Sequence, residues 1–128
     1  MREEARMFWE QALEDLRTAE ILLNEGRYYA SVFFAHQAAE KALKALYIQR
    51  LRRRPPRTHS LVRLVNEMNI QDPNIIDAAM ELTPEYVTTR YPDAANEVPA
   101  RIYNRRIAEE HLRRAREVIE FCRRELGL

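Results

Sequence analysis

The sequence predicts an all-α protein, an up-and-down helical bundle of three long helices and one or two short ones. In three long stretches, apolar residues recur at alternating steps of four and three, which is the spacing of one helix face. No stretch shows the two-residue alternation of a half-buried strand. The 128 residues include only two Gly and six Pro, too few for the many turns of an all-β domain. The length fits a single domain over residues 1–128.

The three long helices are predicted over residues 4–25, over residues 28–50 and from Asn104 onward. Gly26 lies where a glycine ends a helix, and Asn104 can cap the start of the last one. The apolar seam of the second helix is narrow because half of its members are small: Tyr28, Val32, Ala35, Ala39, Ala42 and Leu46. Since aromatic residues also lie outside this seam, the second helix should be central in the bundle or at an oligomer interface.

The chain between the second and the last long helix should form short elements. Pro55-Pro56 prevents the second helix from continuing. Start signals for further helices occur at Thr58 or Ser60, at Asp72-Pro73 for a helix ending at Leu82, and at Thr83-Pro84. Residues 90–103 contain two prolines and little periodicity, so this segment is predicted to be a loop.

Composition and charge exclude several classes of protein. The formal net charge of +1 predicts no overall attraction to nucleic acid, so nucleic-acid binding would need a local basic patch. The single cysteine, Cys122, excludes an intramolecular disulfide, and its place on the apolar seam of the last helix predicts a buried thiol. The sequence has no glycine-rich phosphate loop, and its three histidines lie far apart. We therefore expect no cofactor and no metal site.

The N-terminal segment and the choice of basic residues indicate where the protein is located and what kind of organism it comes from. The N-terminus, MREEARMFWEQALEDL, is charged from its second residue and lacks the apolar core of a signal peptide. No stretch approaches about 18 apolar residues, so no membrane span is expected. These features predict a cytoplasmic protein. The basic residues are 19 Arg and 2 Lys, a bias that fits a thermophilic source.

Five arginines lie close together after the second helix: Arg50, Arg52, Arg53, Arg54 and Arg57. Guanidinium groups pair with phosphates in a fork-like geometry, and the two prolines stiffen the segment. The segment is therefore a candidate contact for nucleic acid. The alternative is a solvated loop whose arginines pair with Glu and Asp elsewhere in the protein.

Both lysines of this arginine-rich chain, Lys41 and Lys44, lie within four positions of the second helix. This placement indicates a face that needs a compact ammonium rather than a planar guanidinium. The alternative is ordinary surface charge. Glu40 lies one turn before Lys44 and can pair with it. His36 on the same helix, and His59 in the turn before the third helix, are expected to be structural.

Two further groups of residues could carry chemistry. In Arg90-Tyr91-Pro92-Asp93, Arg90 can bind phosphate, Tyr91 can stack on a base and Asp93 can orient Arg90. The alternative is a packed turn in which Tyr91 fills the core and Arg90 caps a helix. In the last helix, Arg106 is followed by His111, a spacing that can serve metal-free RNA cleavage. Such a spacing is also common by chance in a chain so rich in arginine.

Three motifs in this order resemble the HEPN domain (higher eukaryotes and prokaryotes nucleotide-binding). They are QAAEKALKAL at residues 37–46, THSL at 58–61 and RYPD at 90–93. The similarity extends over nearly the whole chain. It implies a helical bundle that usually forms a homodimer, and a link to nucleotides or RNA. Small prokaryotic members are often one half of a toxin–antitoxin pair with a minimal nucleotidyltransferase.

The resemblance implies a nucleotide- or RNA-binding site at Arg90, Tyr91 and Asp93. Further residues expected to contribute are Lys41, Lys44, His59, Arg52, Arg53 and Arg54.

Two alternatives remain at this point. Many HEPN domains are metal-independent endoribonucleases whose Arg–His motif, here Arg106 and His111, is doubled across the dimer. This chain departs from that pattern at Ile107, where a polar residue is common, and Arg90 has no His five to seven residues later, where Ala95, Asn96 and Glu97 stand. The other alternative is a non-catalytic interaction module that holds a partner protein on the apolar second helix.

Overall fold

Seven α-helices and one short 3-10 helix make up the computed structural model, which describes all residues from 1 to 128. The long helices are α1 (Glu3–Asn24), α2 (Tyr28–Leu51) and α7 (Arg105–Leu126). Between α2 and α7 lie α3 (Leu61–Glu67), α4 (Pro73–Leu82), α5 (Glu85–Thr88), α6 (Pro92–Ala95) and the 3-10 helix (Pro99–Arg101). No strand is present. The predicted all-α fold with three long helices is confirmed, but five short elements lie between α2 and α7 instead of the one or two expected.

The segment 90–103 is where the sequence prediction was wrong. It was expected to be a loop, but it contains α6 and the 3-10 helix. Both begin at a proline, Pro92 and Pro99. Proline is favourable at the first position of a helix, because the N–H that it lacks has no partner there. The two prolines on which the loop prediction rested therefore start two short helices.

Side chains cap three helices at the predicted positions. The Ser60 side chain accepts a hydrogen bond from the Arg63 N–H at the start of α3. Asp72 and Asn104 do the same for α4 and α7. At its C-terminus α1 is followed by Gly26, whose φ of +76° is the left-handed conformation that glycine adopts without strain.

The second long helix, α2, lies at the centre of the bundle, with α1 and α7 packed along it. Five alanines of α2 are completely buried: Ala35, Ala38, Ala39, Ala42 and Ala45. Their small side chains let the neighbouring helices approach closely, while Leu43, Leu46 and Tyr47 fill the remaining space. The several apolar faces of α2 are thus covered within one chain and do not themselves require a partner protein.

The last helix, α7, completes the core by packing on both α2 and α4. Its buried residues include Leu112, Ala115, Ile119 and Cys122. Cys122 is fully buried, as predicted, and this burial raises the pKa of its thiol well above the ordinary value. None of the helices has the length and apolar character needed to cross a lipid bilayer.

Candidate functional site

A buried carboxylate on α2 joins two of the predicted site residues. Glu40 accepts a hydrogen bond from Lys44 Nζ at 2.9 Å and another from His59 Nδ1 at 2.9 Å. The predicted pairing of Glu40 with Lys44 is therefore present. Lys44 and Glu40 are both buried, whereas the His59 side chain is 48% exposed. Glu40 thus links a buried ammonium to an imidazole at the surface.

The exposed side of His59 continues into a stack of aromatic and guanidinium groups. The His59 ring lies 3.6 Å from the Tyr86 ring, centroid to centroid, with an angle of 7° between the planes. The Arg90 guanidinium carbon lies 4.1 Å from the Tyr86 centroid and 4.8 Å from the Tyr91 centroid. We call His59, Tyr86, Arg90 and Tyr91 the Arg90 surface.

No acidic side chain pairs with Arg90 in this surface. Its Nε donates a hydrogen bond to the Tyr86 carbonyl at 2.9 Å, so it caps the end of α5. No carboxylate lies within ion-pair distance of it, and its two terminal nitrogens make no hydrogen bond within the chain. The aromatic rings pack against the guanidinium but do not compensate its charge. An anion can therefore bind to the two free nitrogens.

Tyr91 is 46% exposed, so it does not fill the core. In the packed-turn alternative for the RYPD segment, Arg90 caps a helix and Tyr91 fills the core. The structure agrees with the first part and contradicts the second. An exposed aromatic ring beside an unpaired arginine is a suitable platform for a nucleobase attached to a phosphate.

A buried histidine supports the Arg90 surface from below. His36 is completely buried on α2, and its Nε2 donates a hydrogen bond to the His59 carbonyl at 2.8 Å. Burial lowers the pKa of His36 below its usual value, so this imidazole is neutral at pH 7. Its role is structural, as expected, because it holds the turn that presents His59.

Two predicted site residues lie apart from the Arg90 surface. Lys41 Nζ forms an ion pair with Asp15 of α1 at 2.6 Å, so it connects α1 to α2. Asp93 is exposed in α6 and accepts a hydrogen bond from the adjacent Ala94 N–H at 3.1 Å. It therefore does not orient Arg90, which is positioned by Tyr86 instead.

The five arginines after α2 divide into two groups. Arg50 forms an ion pair with Glu125 of α7, and Arg53 binds Tyr47 and Glu67. These two connect parts of the protein, as the solvated-loop alternative predicted. The other three, Arg52, Arg54 and Arg57, are exposed and have no hydrogen-bond or ion-pair partner from their side chains. Only this second group is free to bind an external anion.

The Arg106 and His111 side chains are not brought together within one chain. Five positions of an α-helix correspond to about 140° around its axis, so the two residues lie on different faces of α7. The Nδ1 of His111 donates to the Ile107 carbonyl at 2.8 Å, and its Nε2 lies 3.8 Å from Glu85 Oε2. Arg106 is exposed and lines an open groove of about 910 Å³ together with Arg105, Arg113 and Arg116.

The carboxylate next to His111 belongs to a second buried polar cluster. Tyr103 donates a hydrogen bond to Glu85 Oε2 at 2.7 Å. Burial, and then the Glu85 carboxylate, raise the pKa of the Tyr103 hydroxyl. Since Glu85 starts α5, this cluster fixes the short helix that carries Tyr86 and leads to Arg90.

Similarity to known proteins decides the family. The sequence-family model of the HEPN domain matches residues 5–125 of this chain. The chain belongs to the HEPN family. It is 32% identical to a candidate toxin, MJ1304 of Methanocaldococcus jannaschii, over 97% of this chain and 91% of that protein.

Two crystal structures share the same fold. TT1696 of Thermus thermophilus superposes with a TM-score of 0.87 and 37% identity, over 97% of this chain and 99% of that chain. ST0689, an archaeal HEPN homologue, gives a TM-score of 0.75 and 27% identity, over 95% of this chain and 97% of that chain. The HEPN resemblance and the helical fold that it implied are therefore confirmed.

Sequence reasoning missed two aromatic residues around Arg90 in this HEPN protein: Tyr86, and Phe33 of α2, whose ring centroid lies 5.2 Å from the Arg90 guanidinium carbon. It also missed Glu85, which belongs to the buried cluster with Tyr103. Tyr86 follows the helix-start signal Thr83-Pro84 and precedes Arg90 by four residues, which places the two on one side of a continuous helical stretch. That spacing was a usable signal. The contact of Tyr86 with His59 was not predictable, because it depends on how α5 lies against the turn between α2 and α3, which carries His59.

Proposed function

We propose that this HEPN protein binds a nucleotide or RNA at the Arg90 surface, as one half of a toxin–antitoxin-like pair with a minimal nucleotidyltransferase. The observation that carries the proposal is the stack of His59, Tyr86 and Arg90, with Tyr91 exposed beside it. In this proposal Arg90 binds a phosphate through its two free nitrogens, and Tyr91 stacks on the adjoining base.

The physical chemistry of the surface suits a phosphate with a base attached. An arginine packed against aromatic rings loses less side-chain entropy when it binds than a mobile arginine does, so its contact with a phosphate is more favourable. Stacking of a base on an aromatic side chain contributes about 1–3 kcal/mol. The protein as a whole carries a net charge of only +1, so attraction to an anion depends on such local groups.

Fluorescence anisotropy with a short labelled single-stranded RNA tests the binding site. Arg90→Gln should weaken binding about tenfold, corresponding to about 1.4 kcal/mol for one charged hydrogen-bonded contact. It should also reduce the salt dependence by about 0.7 in the slope of log affinity against log salt, since one phosphate contact is lost. Arg124→Gln is the matched control, because Arg124 is exposed and has no ion-pair partner. Equal affinities of the two variants would refute the assignment.

The similarity to a candidate toxin supports the pairing with an antitoxin. Expression of this chain alone in a bacterial host should slow growth, and co-expression of a minimal nucleotidyltransferase should restore it. Arg90→Gln should grow normally in both cases. Unchanged growth with the wild-type chain, at an expression level confirmed by blotting, would contradict the toxin role.

A homodimer is part of the same proposal, since HEPN domains of this type usually pair. Size-exclusion chromatography with light scattering should give twice the mass of 15.2 kDa. A monomer that becomes a defined complex only with a partner protein would favour the interaction-module alternative.

The second candidate function is a metal-independent endoribonuclease, and the free guanidinium groups of Arg105 and Arg106 in the α7 groove favour it. Because Arg106 and His111 lie on different faces of one helix, such a site would have to combine residues of two copies. Incubation with mixed-sequence RNA in EDTA tests this function. Cleavage by the wild type that is lost in both Arg106→Ala and His111→Ala would support it. No cleavage, or cleavage that survives both substitutions, would exclude it.

A further inference from the structure

A second groove lies on the other side of Glu40 from the Arg90 surface. It has a volume of about 320 Å³ and is formed by the start of α1, by α2 and by the segment that follows α2. Its walls include Phe8, Lys44, Arg54, Pro55 and Arg57. We call it the Arg54 groove. A volume of this size is at the lower end of the range of small-molecule sites.

Three cationic side chains converge on the Arg54 groove. Arg54 and Arg57 are exposed, and no carboxylate neutralises either of them. Lys44 is different, because its side chain is only 10% exposed and its ammonium donates a single hydrogen bond, to Glu40. An ammonium has three donors. Two N–H donors of this ammonium therefore remain for an anion at the wall of the groove, while Glu40 compensates its charge, so the net attraction comes from Arg54 and Arg57.

The rest of the groove suits an apolar ring. Phe8 and the rings of Pro55 and Pro56 line it, and so does Glu4. Glu4 forms no ion pair in the chain. This carboxylate repels a phosphate placed next to it but can accept a hydrogen bond from the amino group of a base. The combination of cations, apolar rings and one acceptor matches a nucleotide unit better than it matches a free phosphate.

The Arg54 groove and the Arg90 surface are joined through one carboxylate. Glu40 accepts from Lys44, which faces the groove, and from His59, which belongs to the Arg90 surface. Two ligands bound on the two sides would thus be connected through the buried Glu40 bridge. We propose that the Arg54 groove is a second phosphate-and-base subsite, so that the protein binds an oligonucleotide across both subsites. This inference rests on the proposed function in one respect: the Arg90 surface is taken to be the first subsite.

Affinities for ligands of increasing length test the two-subsite proposal. The probes are adenosine monophosphate and labelled RNA chains of two, four and six adenylates. The groove variant is Arg54→Gln/Arg57→Gln, and its charge-matched control is Arg17→Gln/Arg124→Gln, which removes two unpaired surface arginines. The wild type should bind the hexamer at least about tenfold more tightly than the monophosphate, and the groove variant should lose most of this gain. All four arginines are exposed, so we expect both variants to unfold at the wild-type temperature. Thermal unfolding followed by circular dichroism checks that they are folded.

The outcomes separate the two proposals. If Arg90→Gln weakens every ligand while the groove variant behaves like its control, the first subsite stands and the second is wrong. If the groove variant loses the length dependence while Arg90→Gln has no effect, the groove stands and the assignment of Arg90 is wrong. If the wild type binds no ligand of any length, both are overturned.

Discussion

Replacing Glu40 by Gln removes the charge that compensates the buried ammonium of Lys44. The side chains of Lys44 and Glu40 are only 10% and 5% exposed, and Nζ lies 2.9 Å from Oε2. Breaking a buried ion pair on one side costs about 3–5 kcal/mol, because the remaining charge is left without a partner. We expect a value near 3 kcal/mol for Glu40→Gln, since the amide oxygen still accepts a hydrogen bond and Lys44 reaches the Arg54 groove.

A loss of about 3 kcal/mol is a large part of the total for a domain whose free energy of unfolding is about 5–15 kcal/mol. Urea unfolding followed by circular dichroism measures it directly, and the thermal midpoint should fall by about 10 °C. Glu14→Gln is the control, because Glu14 is exposed on α1 and has no ion-pair partner.

The double variant Glu40→Gln/Lys44→Met shows how much of the lost stability is due to the unpaired charge of Lys44 rather than to altered packing. Removing the unpaired ammonium should recover part of the stability lost in Glu40→Gln, since the buried charge is then gone. A loss below about 1 kcal/mol in Glu40→Gln would refute the reasoning, and so would a double variant less stable than Glu40→Gln alone.

Three further predictions follow from single contacts. Ser60→Ala removes the side-chain cap of α3 and should lower the free energy of unfolding by about 1 kcal/mol; in urea titrations, no change would contradict a capping role. Cys122 is buried with a raised pKa, so a thiol reagent should label native protein only at the rate of unfolding and denatured protein at once; rapid labelling of native protein would be the opposite result. The pKa of His36 is lowered on folding from its ordinary value of 6.5, so its unfolded form takes up a proton that the native form does not as the pH falls below about 6.5. Stability should therefore decrease on acidification, by at most about 1.4 kcal/mol per pH unit from this one group, and urea titrations between pH 7.5 and 5.5 should show a smaller decrease in His36→Gln; an unchanged slope would exclude His36 as the cause.

The parts of the fold that depend on local sequence were predictable. Helix caps are contacts between residues two or three positions apart, and Ser60, Asp72 and Asn104 act where the sequence placed them. The central position of α2 followed as one of two options from its apolar faces, and its alanines explain how α1 and α7 come close. The prediction for segment 90–103 failed because proline was treated only as a helix breaker, although it also favours the first turn of a helix.

The candidate site was predictable in its composition but not in its connections. The pairing of Glu40 with Lys44 is a one-turn contact on a single helix, so the sequence indicates it. The stacking of Tyr86 on His59, and the pairing of Lys41 with Asp15, join residues 27 and 26 positions apart. Such contacts depend on how helices pack, which periodicity does not determine. The spacing of Arg106 and His111 suggested a shared site, but the two lie on different faces of α7, so only contacts between copies of the chain could bring them together.

Photo-cross-linking of a 4-thiouridine-containing RNA, followed by peptide mapping, tests the central claim most directly, because it locates the bound base on the protein. In the wild type, cleavage after Arg90 separates Tyr86 from Tyr91; in Arg90→Gln, which lacks this cleavage site, the fragment ions of the joined peptide distinguish the two tyrosines. We predict cross-links at Tyr91 and in the peptides that carry His59 and Tyr86, all reduced in Arg90→Gln. Cross-links confined to the α7 groove around Arg106, and unaffected by Arg90→Gln, would contradict the account.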